Sequence, residues 1–271
     1  MTPHADLTGL LAAIVATARV RAASMTRTSL AELERRAVRQ TPRGDLFLAA
    51  ITRTGTINVI AECKRRSPLK GVLRREYRPA EIALEYERAG AAAVSVLTEP
   101  EFFDGSLDDL QAVKSEVAVP VLRKDFIVDE RQLIEARAAG ADAVLLIVAA
   151  LGAGELTRLA IAARELGLAA LVEVHDAQEV DRALEAGAAA IGVNARDLRT
   201  MQVSLAALVP IAARVPCDVA RVAESGITSR GDIATLKNAG YSAFLVGERL
   251  MTSESPGVAL AALLQAEESC S

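Results

Sequence analysis

Short apolar runs alternate along the chain with longer amphipathic stretches. Eight of the runs have the length of buried strands, near 56–62, 92–98, 119–124, 142–149, 168–174, 189–194, 218–224 and 243–247. Their consecutive apolar positions are typical of parallel strands that helices cover on both faces. The pattern therefore predicts an α/β fold built from repeated strand–helix units.

A recurring signature marks the junctions between these units. A predicted helix ends in glycine and is followed by small residues and a strand at Gly90, Gly140, Gly167, Gly187 and Gly240. Glycine accepts the left-handed backbone that ends a helix, so the chain can turn directly into the next strand. Eight units in 271 residues predict one closed (β/α)8 barrel, a TIM barrel. A doubly wound open sheet is the alternative, although no GxGxxG motif follows a predicted strand.

The first 50 residues are predicted to form a helical extension packed on a barrel of residues 51–271, within one domain overall. The apolar residues that share one face of a predicted first helix are Leu7, Leu10, Leu11, Ile14, Val15 and Ala18. Ser29 and Glu32 have the spacing of a capping box and are expected to start a second helix. Asp6 and the lack of a basic residue before this helix argue against a secretory signal. No apolar run is long enough to span a membrane.

Composition excludes several classes of function. Thirty-one basic and 35 acidic residues give a net charge of −4, which argues against a nucleic-acid-binding surface. The three cysteines lack CxxC spacing, so no disulfide framework or zinc site is predicted, and a reducing cytoplasm is the expected location. His4 and His175 are the only histidines, so no metal site is predicted. His175 lies close to Glu173 in sequence, and we expect it to have a structural role.

Charged residues follow the first strand directly. Because strand side chains alternate between faces, Glu62 and Lys64 share one face while Cys63 occupies the other. This stretch alone leaves two interpretations open, a solvated ion pair at a strand end or a catalytic site. Cys63 faces the predicted helix layer and has no nearby histidine, so we interpret its thiol as a small buried group rather than a nucleophile.

Later strands end in the same way, which favours the catalytic site. The polar side chains at the ends of the third, fifth, sixth and seventh strands are Lys124, Glu173, Asn194 and Glu224. In a barrel these ends meet at one mouth, where the active sites of this fold lie. Together with the pair on the first strand they form a ring of six polar groups. The ring predicts acid–base chemistry by lysine and glutamate.

An anion site is predicted after the last two strands. Gly226 and Gly247 follow these strands, where backbone N–H groups can approach a ligand. Phosphate sites of this barrel class form in the same two loops. An ordinary turn is the alternative interpretation of each glycine taken alone.

The sequence also resembles a known family. The motifs that carry the resemblance are AECKRRSP, LTEPEFFDGSLDDL, LRKDF, LVEVH, GVNARDL, AESGI and FLVGE. In order and spacing they are similar to the indole-3-glycerol-phosphate synthase family of tryptophan biosynthesis.

The resemblance implies a cytoplasmic carboxy-lyase, without a cofactor, with the N-terminal helices over the catalytic mouth. The implied reaction closes the pyrrole ring of 1-(2-carboxyphenylamino)-1-deoxyribulose 5-phosphate and releases CO2 and water. This phosphorylated molecule is the expected partner, without nucleic acid or membrane, and the chain is compatible with a monomer or a homodimer.

The resemblance further implies roles for individual residues. Lys124 is expected to be the general acid at the substrate carbonyl and Glu173 the carboxylate that assists dehydration. Lys64, steadied by Glu62, is expected to hold substrate anions. The other implied site residues are Glu224 and Ser225 at the mouth, Asn194 and Arg196 at the substrate carboxylate, Ser67, Phe103 and Phe126 at the substrate, and Gly226, Gly247 and Glu248 at the phosphate.

Departures and alternatives remain. The positions that differ from the usual family choices are Cys63, Arg66, Leu69 and Ala195, and none of them removes a catalytic group. A Schiff-base aldolase stays open, because a strand-end lysine beside carboxylates can attack a carbonyl. A catalytically silent barrel that binds a phosphorylated ligand also stays open. If the enzyme interpretation holds, the ammonium group of Lys64 is expected to lower the pKa of Lys124.

Overall fold

The computed structural model describes residues 7–41, 43–197 and 202–265. Eight strands form a closed barrel in which β1 pairs in parallel with both β2 and β8. The strands are β1 (Asn58–Cys63), β2 (Ala93–Leu97), β3 (Val121–Lys124), β4 (Ala143–Ile147), β5 (Ala169–Val174), β6 (Ala190–Asn194), β7 (Ala220–Glu224) and β8 (Ala243–Val246). Each overlaps a predicted strand, so the (β/α)8 barrel is confirmed and the open sheet is excluded.

Helices alternate with the strands and precede them at the N-terminus. They are α1 (Leu7–Ala23), α2 (Arg27–Val38), α3 (Gly44–Ile51), α4 (Pro79–Ala89), α5 (Pro100–Phe103), α6 (Leu107–Glu116), α7 (Glu130–Ala138), α8 (Ala153–Glu165), α9 (Ala177–Glu185), α10 (Leu208–Ala212), α11 (Arg230–Asn238), α12 (Glu248–Met251) and α13 (Pro256–Leu264). The five junction glycines all have positive φ angles, as predicted. A two-residue antiparallel pair, Arg66–Ser67 with Gly71–Val72, follows β1.

The start of α2 differs from the prediction. Thr26 is the N-cap, and its Oγ1 accepts a hydrogen bond from the Ser29 backbone N–H at 3.1 Å. The predicted capping box at Ser29 and Glu32 is therefore wrong. Thr26 has the extended backbone and the side-chain oxygen that a cap requires, so the helix begins one turn earlier.

The barrel interior is filled from its amino-terminal end by α3. Six of the eight strands begin with alanine, and these small side chains leave room for Phe47 and Ile51, which are fully buried among them. A Cβ on Gly44 would lie 2.6 Å from the Ala169 backbone nitrogen, so α3 approaches β5 closely because its first residue is glycine. The helix runs across the predicted domain boundary at residue 50, and that division of the chain stays a prediction.

Helix α1 packs against the barrel through the predicted apolar face. Ile14 and Ala18 are buried, whereas Leu10, Leu11 and Val15 are partly buried. The Leu7 side chain lies outside the described residues. Arg21 Nη2 donates to Asp125 Oδ1 at 3.0 Å, just beyond the end of β3. These contacts hold α1 at the carboxyl-terminal side of the barrel.

No single described helix is long and apolar enough to cross a bilayer. Gly9–Ala23 and Arg27–Val38 meet the length and composition requirement only as a pair, and the two helices are bent by 92°.

Candidate active site

A cavity of about 590 Å³ opens at the carboxyl ends of the strands. Leu10, Leu11 and Ile14 of α1 contribute to its wall, so α1 lies at the mouth as expected, whereas α3 of the same predicted extension lies at the other end of the barrel. The predicted site residues that line the cavity are Glu62, Lys64, Ser67, Phe103, Lys124, Phe126, Glu173, Asn194, Arg196, Glu224, Ser225, Gly226, Gly247 and Glu248. The structure thus brings all of them together, although their individual roles stay predictions.

Lys124 lies between two carboxylates on the floor of the cavity. Its Nζ donates to Glu173 Oε2 at 2.8 Å and to Glu224 Oε2 at 3.1 Å. These residues end or nearly end β3, β5 and β7, and strand alternation turns all three side chains inward. The lysine joins three strands at the centre of the mouth.

The pKa of Lys124 is shifted in the direction opposite to our expectation. Burial by itself lowers this pKa, but the carboxylates of Glu173, Glu224 and Glu62 outweigh burial and raise it above its usual range. The expected lowering by Lys64 is therefore wrong, because the nearby carboxylates dominate the charges that act on Lys124. Lys124 is a fully protonated ammonium group at neutral pH.

Glu62 and Lys64 form an ion pair beside this centre. Lys64 Nζ lies 2.5 Å from Glu62 Oε1, and both side chains are largely buried, which excludes a solvated pair. Cys63 faces away from the cavity, and its Sγ lies 3.8 Å from the carbonyl oxygen of Pro79. Burial in the helix layer raises the pKa of the thiol, so it is not poised as a nucleophile.

Glu173 and Glu224 have opposite protonation tendencies. Burial raises the pKa of both, but Lys124 outweighs burial at Glu173 and lowers that pKa below its ordinary value. Glu224 keeps a raised pKa because the charges of Glu173 and Glu62 add to burial. Paired groups whose environments separate their pKa values are typical of acid–base sites. The site therefore holds one firmly ionised carboxylate and one that can carry a proton.

Further contacts orient Glu173. Asn194 Nδ2 donates to Glu173 Oε1 at 3.1 Å, and Asn194 Oδ1 accepts from the Arg196 backbone N–H at 3.0 Å. His175 Nε2 lies 3.5 Å from the same Glu173 oxygen. Asn194 is thus held between Glu173 and the Arg196 backbone, and the contact of Asn194 and Arg196 with a substrate carboxylate stays a prediction.

Two glycines make room for the buried carboxylates. A Cβ added to Gly192 of β6 would overlap Glu224 Oε1, and one added to Gly247 would overlap Glu62 Oε1. Our sequence analysis missed Gly192, since its only signal is a glycine inside an apolar strand. Gly247 was assigned to phosphate, and its space-making role is an addition to that prediction.

The loops after β7 and β8 form the other end of the cavity. Ser225 and Gly226 both have positive φ angles, 68° and 76°, which is uncommon for serine and occurs often at functional sites. The Glu248 carboxylate pairs with Lys70, so only its backbone N–H could approach an anion. Lys70 and Arg249 also line the cavity, and sequence reasoning missed both.

An aromatic pair lines the cavity beyond β2 and β3. The ring centroids of Phe103 and Phe126 lie 6.2 Å apart with their planes tilted by 33°. This contact, with the aliphatic side chains of α1, gives one wall of the cavity an apolar surface. Among the residues that the structure describes, no group of three or more histidine, cysteine, aspartate or glutamate side chains could hold a metal ion.

Comparison with known proteins places the chain in a family. The family model described as indole-3-glycerol phosphate synthase matches residues 11–263. A relative of that name from Kineococcus radiotolerans is 50% identical over 242 residues, covering 88% of each chain. Indole-3-glycerol phosphate synthase 1 from Streptomyces coelicolor is 49% identical over 242 residues, covering 89% of each. A solved structure of thiamine phosphate pyrophosphorylase from Pyrococcus furiosus has a TM-score of 0.58 at 19% identity over 76% of this chain and 93% of that one, and shares the fold alone. The chain belongs to the indole-3-glycerol phosphate synthase family.

Proposed function

We propose that this protein converts 1-(2-carboxyphenylamino)-1-deoxyribulose 5-phosphate to indole-3-glycerol phosphate in tryptophan biosynthesis, as a carboxy-lyase of the cytoplasm. The family assignment supports this proposal. The observation that carries it is the placement of Lys124 between Glu173 and Glu224 on the floor of the cavity. This arrangement provides a protonated acid beside two carboxylates, which a ring closure followed by dehydration requires.

Lys124 is the proposed general acid of ring closure. The aromatic carbon attacks the substrate ketone, and a proton moves from Lys124 Nζ to the ketone oxygen as that oxygen gains negative charge. The raised pKa keeps the lysine protonated before the attack. Loss of CO2 then restores the aromatic ring. An ammonium group aimed at a developing oxyanion stabilises the transition state more than the ground state.

Glu173 and the Glu62–Lys64 pair are the proposed groups for dehydration. Glu173 is held ionised by Lys124 and can therefore accept a proton when water is lost. Lys64 lies at the mouth with one carboxylate partner, and it is placed to contact substrate anions and the departing oxygen. Glu224, whose raised pKa lets it carry a proton, is proposed to donate that proton to the departing hydroxyl, which then leaves as water.

The rest of the cavity suits the two ends of this substrate. The aryl ring is proposed to lie against Phe103 and Phe126, whose rings form the apolar wall. Its carboxylate is proposed to face Asn194 and Arg196. The phosphate is proposed to bind at the loops of Gly226 and Gly247 and at the Glu248 backbone, and Ser67 and Ser225 are proposed to contact the rest of the substrate.

The aldolase alternative needs a neutral lysine nucleophile. The raised pKa of Lys124 disfavours that form, because a charged ammonium group has no lone pair for attack. Borohydride reduction in the presence of a ketose phosphate tests the alternative. We expect no covalent adduct on Lys124, and a trapped adduct with turnover of that sugar would support the aldolase.

Indole fluorescence tests the proposed function directly. The protein should produce a fluorescent indole product from the arylamino-ribulose phosphate, and the rate should survive EDTA because the ammonium groups supply the positive charge. Absence of product from the folded wild-type protein would contradict the proposal. A rate that is lost on chelation and restored by a divalent ion would contradict its metal-free chemistry.

A further inference from the structure

His175 follows the end of β5 and lies between two carboxylates. Its Nδ1 lies 3.1 Å from Glu179 Oε2, and its backbone N–H donates to the same oxygen at 2.7 Å. Its buried Nε2 has no hydrogen-bond partner among the described side chains, and it lies 3.5 Å from Glu173 Oε1. Buried ring nitrogens are normally hydrogen-bonded, and Glu173 is the acceptor just beyond reach of this one.

The surroundings of His175 favour a positive charge on its ring. Glu173 of β5 and Glu179 of α9 lie next to the ring, Glu224 of β7 adds a further negative charge, and Lys124 contacts the other oxygen of Glu173. Burial by itself lowers the pKa of His175, but the Glu179 hydrogen bond and the charges of Glu173 and Glu224 raise it above its ordinary value. These neighbours favour the protonated form of the imidazole, and the carboxylate that contacts its Nδ1, Glu179, belongs to a helix outside the ring of six polar groups.

The proposed reaction creates a need for such a cation. When Lys124 turns to the ketone oxygen, Glu173 loses the ammonium group that now contacts its Oε2. A buried carboxylate without a cationic partner is costly. A small rotation of His175 would bring Nε2–H within hydrogen-bond distance of Glu173 Oε1.

We propose that His175 is a positioning residue that takes over the charge of Glu173 when Lys124 leaves it for the substrate. This rests on the proposed function of the site. His175 transfers no proton in this step, since the proton moves from Lys124 to the ketone oxygen and Glu173 stays ionised. Glu179 of α9 fixes the orientation of the imidazole ring through its contact with Nδ1. The role exceeds the structural one that we expected from sequence.

Steady-state kinetics of three variants test the role. His175→Phe removes the N–H donor while keeping a planar ring, and it should lower kcat about tenfold because a hydrogen bond to a charged group is lost. KM should stay within about threefold, since the contact forms after binding. His175→Gln, which keeps an N–H donor near the Nε2 position, should recover part of the loss. Glu179→Gln keeps an oxygen acceptor and should lower kcat to a smaller extent.

A matched control exists on the neighbouring helix. Glu155 occupies the same third position of α8 as Glu179 does of α9, and its Oε2 accepts from the Gly152 backbone N–H at 2.9 Å. Glu155 is not among the residues that line the cavity, so Glu155→Gln should keep wild-type kcat. Thermal melting of each variant checks that the barrel is folded.

Titration of the imidazole by NMR gives a second readout that does not depend on turnover. The chain has two histidines, so a His4→Gln background leaves the His175 signal alone. Its pKa should lie above the ordinary value of about 6.5 and should fall in both Glu179→Gln and Glu173→Gln. A structural histidine uncoupled from the site would not respond to Glu173→Gln.

The outcomes separate the two proposals. Absence of indole product from the wild-type protein overturns the proposed function. If the wild type forms product, a kcat of His175→Phe within about twofold of wild type overturns the role of His175. An imidazole pKa that is unchanged by Glu173→Gln also overturns it. A tenfold loss in kcat together with a lowered pKa in Glu173→Gln supports it.

Discussion

Single side chains in this site take their protonation state from neighbours on other strands. Glu173 and Glu224 are the same residue type at the same level of the barrel, yet the lysine between them lowers one pKa and leaves the other raised. The difference arises from the sum of charges around each carboxyl group. Acid and base roles are therefore set by position in the ring.

The raised pKa of Glu224 predicts how stability depends on pH. A carboxyl group whose pKa rises on folding, here from 4.5 to about 7, binds its proton more tightly in the folded state. The folded state then loses stability as pH increases from 4.5 to 7. Glu224→Gln removes this loss, so its Tm relative to wild type should rise by about 3 °C or more between pH 4.5 and 8.

The matched control for this titration is Glu81→Gln, a change of an exposed carboxylate whose side chain is 67% accessible. Its Tm relative to wild type should be nearly constant over the same range. A difference in Tm between Glu224→Gln and wild type that does not grow with pH would contradict the raised pKa of Glu224.

The close approach of Gly192 to Glu224 predicts that a side chain at position 192 would reduce activity while the protein still folds. A methyl group at this position would displace the Glu224 carboxylate from its place beside Lys124. Gly192→Ala should lower kcat by about tenfold or more while the barrel still melts cooperatively. Gly154→Ala in α8 is the control, because a Cβ there meets no atom within 4 Å. Unchanged kcat in Gly192→Ala would show that Glu224 can move without consequence.

At the scale of elements, two ion pairs that differ in burial join α1 to the barrel. Arg21 reaches Asp125, whose side chain is fully buried, and lies 4.0 Å from Glu99, which is also buried. Arg19 pairs with Glu155 at the surface. Asp125 directly follows Lys124, so the Arg21 contact links the extension to the loop beside the proposed acid.

The two arginines give a matched pair of variants. Arg21→Ala leaves buried carboxylates with less positive charge, so it should lower the free energy of unfolding by about 2–4 kcal/mol and weaken substrate binding. Arg19→Ala should cost less than about 1 kcal/mol because the pair is exposed. Denaturant unfolding and KM measurements test both. Equal effects of the two variants would contradict a tether through Arg21.

Strand alternation in β1 makes a further prediction. Cys63 faces the helix layer while its neighbours face the cavity. Cys63→Ala should therefore keep kcat within about tenfold of wild type, with some loss of stability from the smaller buried side chain. A larger loss of kcat in a folded variant would contradict the alternation on which the site assignment rests.

At the scale of the whole molecule, the sequence predicted the barrel and the residues at its mouth but not their mutual distances. Alternation along each strand and the glycine junctions are local signals, and they located Lys124, Glu173 and the loops after β7 and β8 correctly at one cavity. We expected Lys64 of the first strand to lower the pKa of Lys124, but carboxylates on β5 and β7 raise it, and their distances from the lysine could not be known from the sequence. Thr26 was missed because several residues near it could equally cap α2.

The two ends of the barrel were also harder to predict. Helix α3 fills the amino-terminal end, while α1 lies at the mouth, although both belong to the same predicted extension. Their apolar faces look alike in sequence, and only the ring of alanines at the strand starts distinguishes the end that accepts Phe47. This packing depends on contacts between strands that are far apart in sequence and that meet only in the folded barrel.

The central claim is that Lys124 is the acid of ring closure and Lys64 a binding group. Single-turnover rates and inhibitor affinities of Lys124→Ala and Lys64→Ala, with melting curves to confirm the fold, test it most directly. Lys124→Ala should lower the catalytic rate by on the order of 10² or more and keep affinity within about tenfold, because a general acid acts in the transition state. Lys64→Ala, in contrast to Lys124→Ala, should weaken the affinity for the inhibitor, because Lys64 is proposed to contact substrate anions. A Lys124→Ala protein that loses affinity and keeps its rate, with the reverse in Lys64→Ala, would contradict the account.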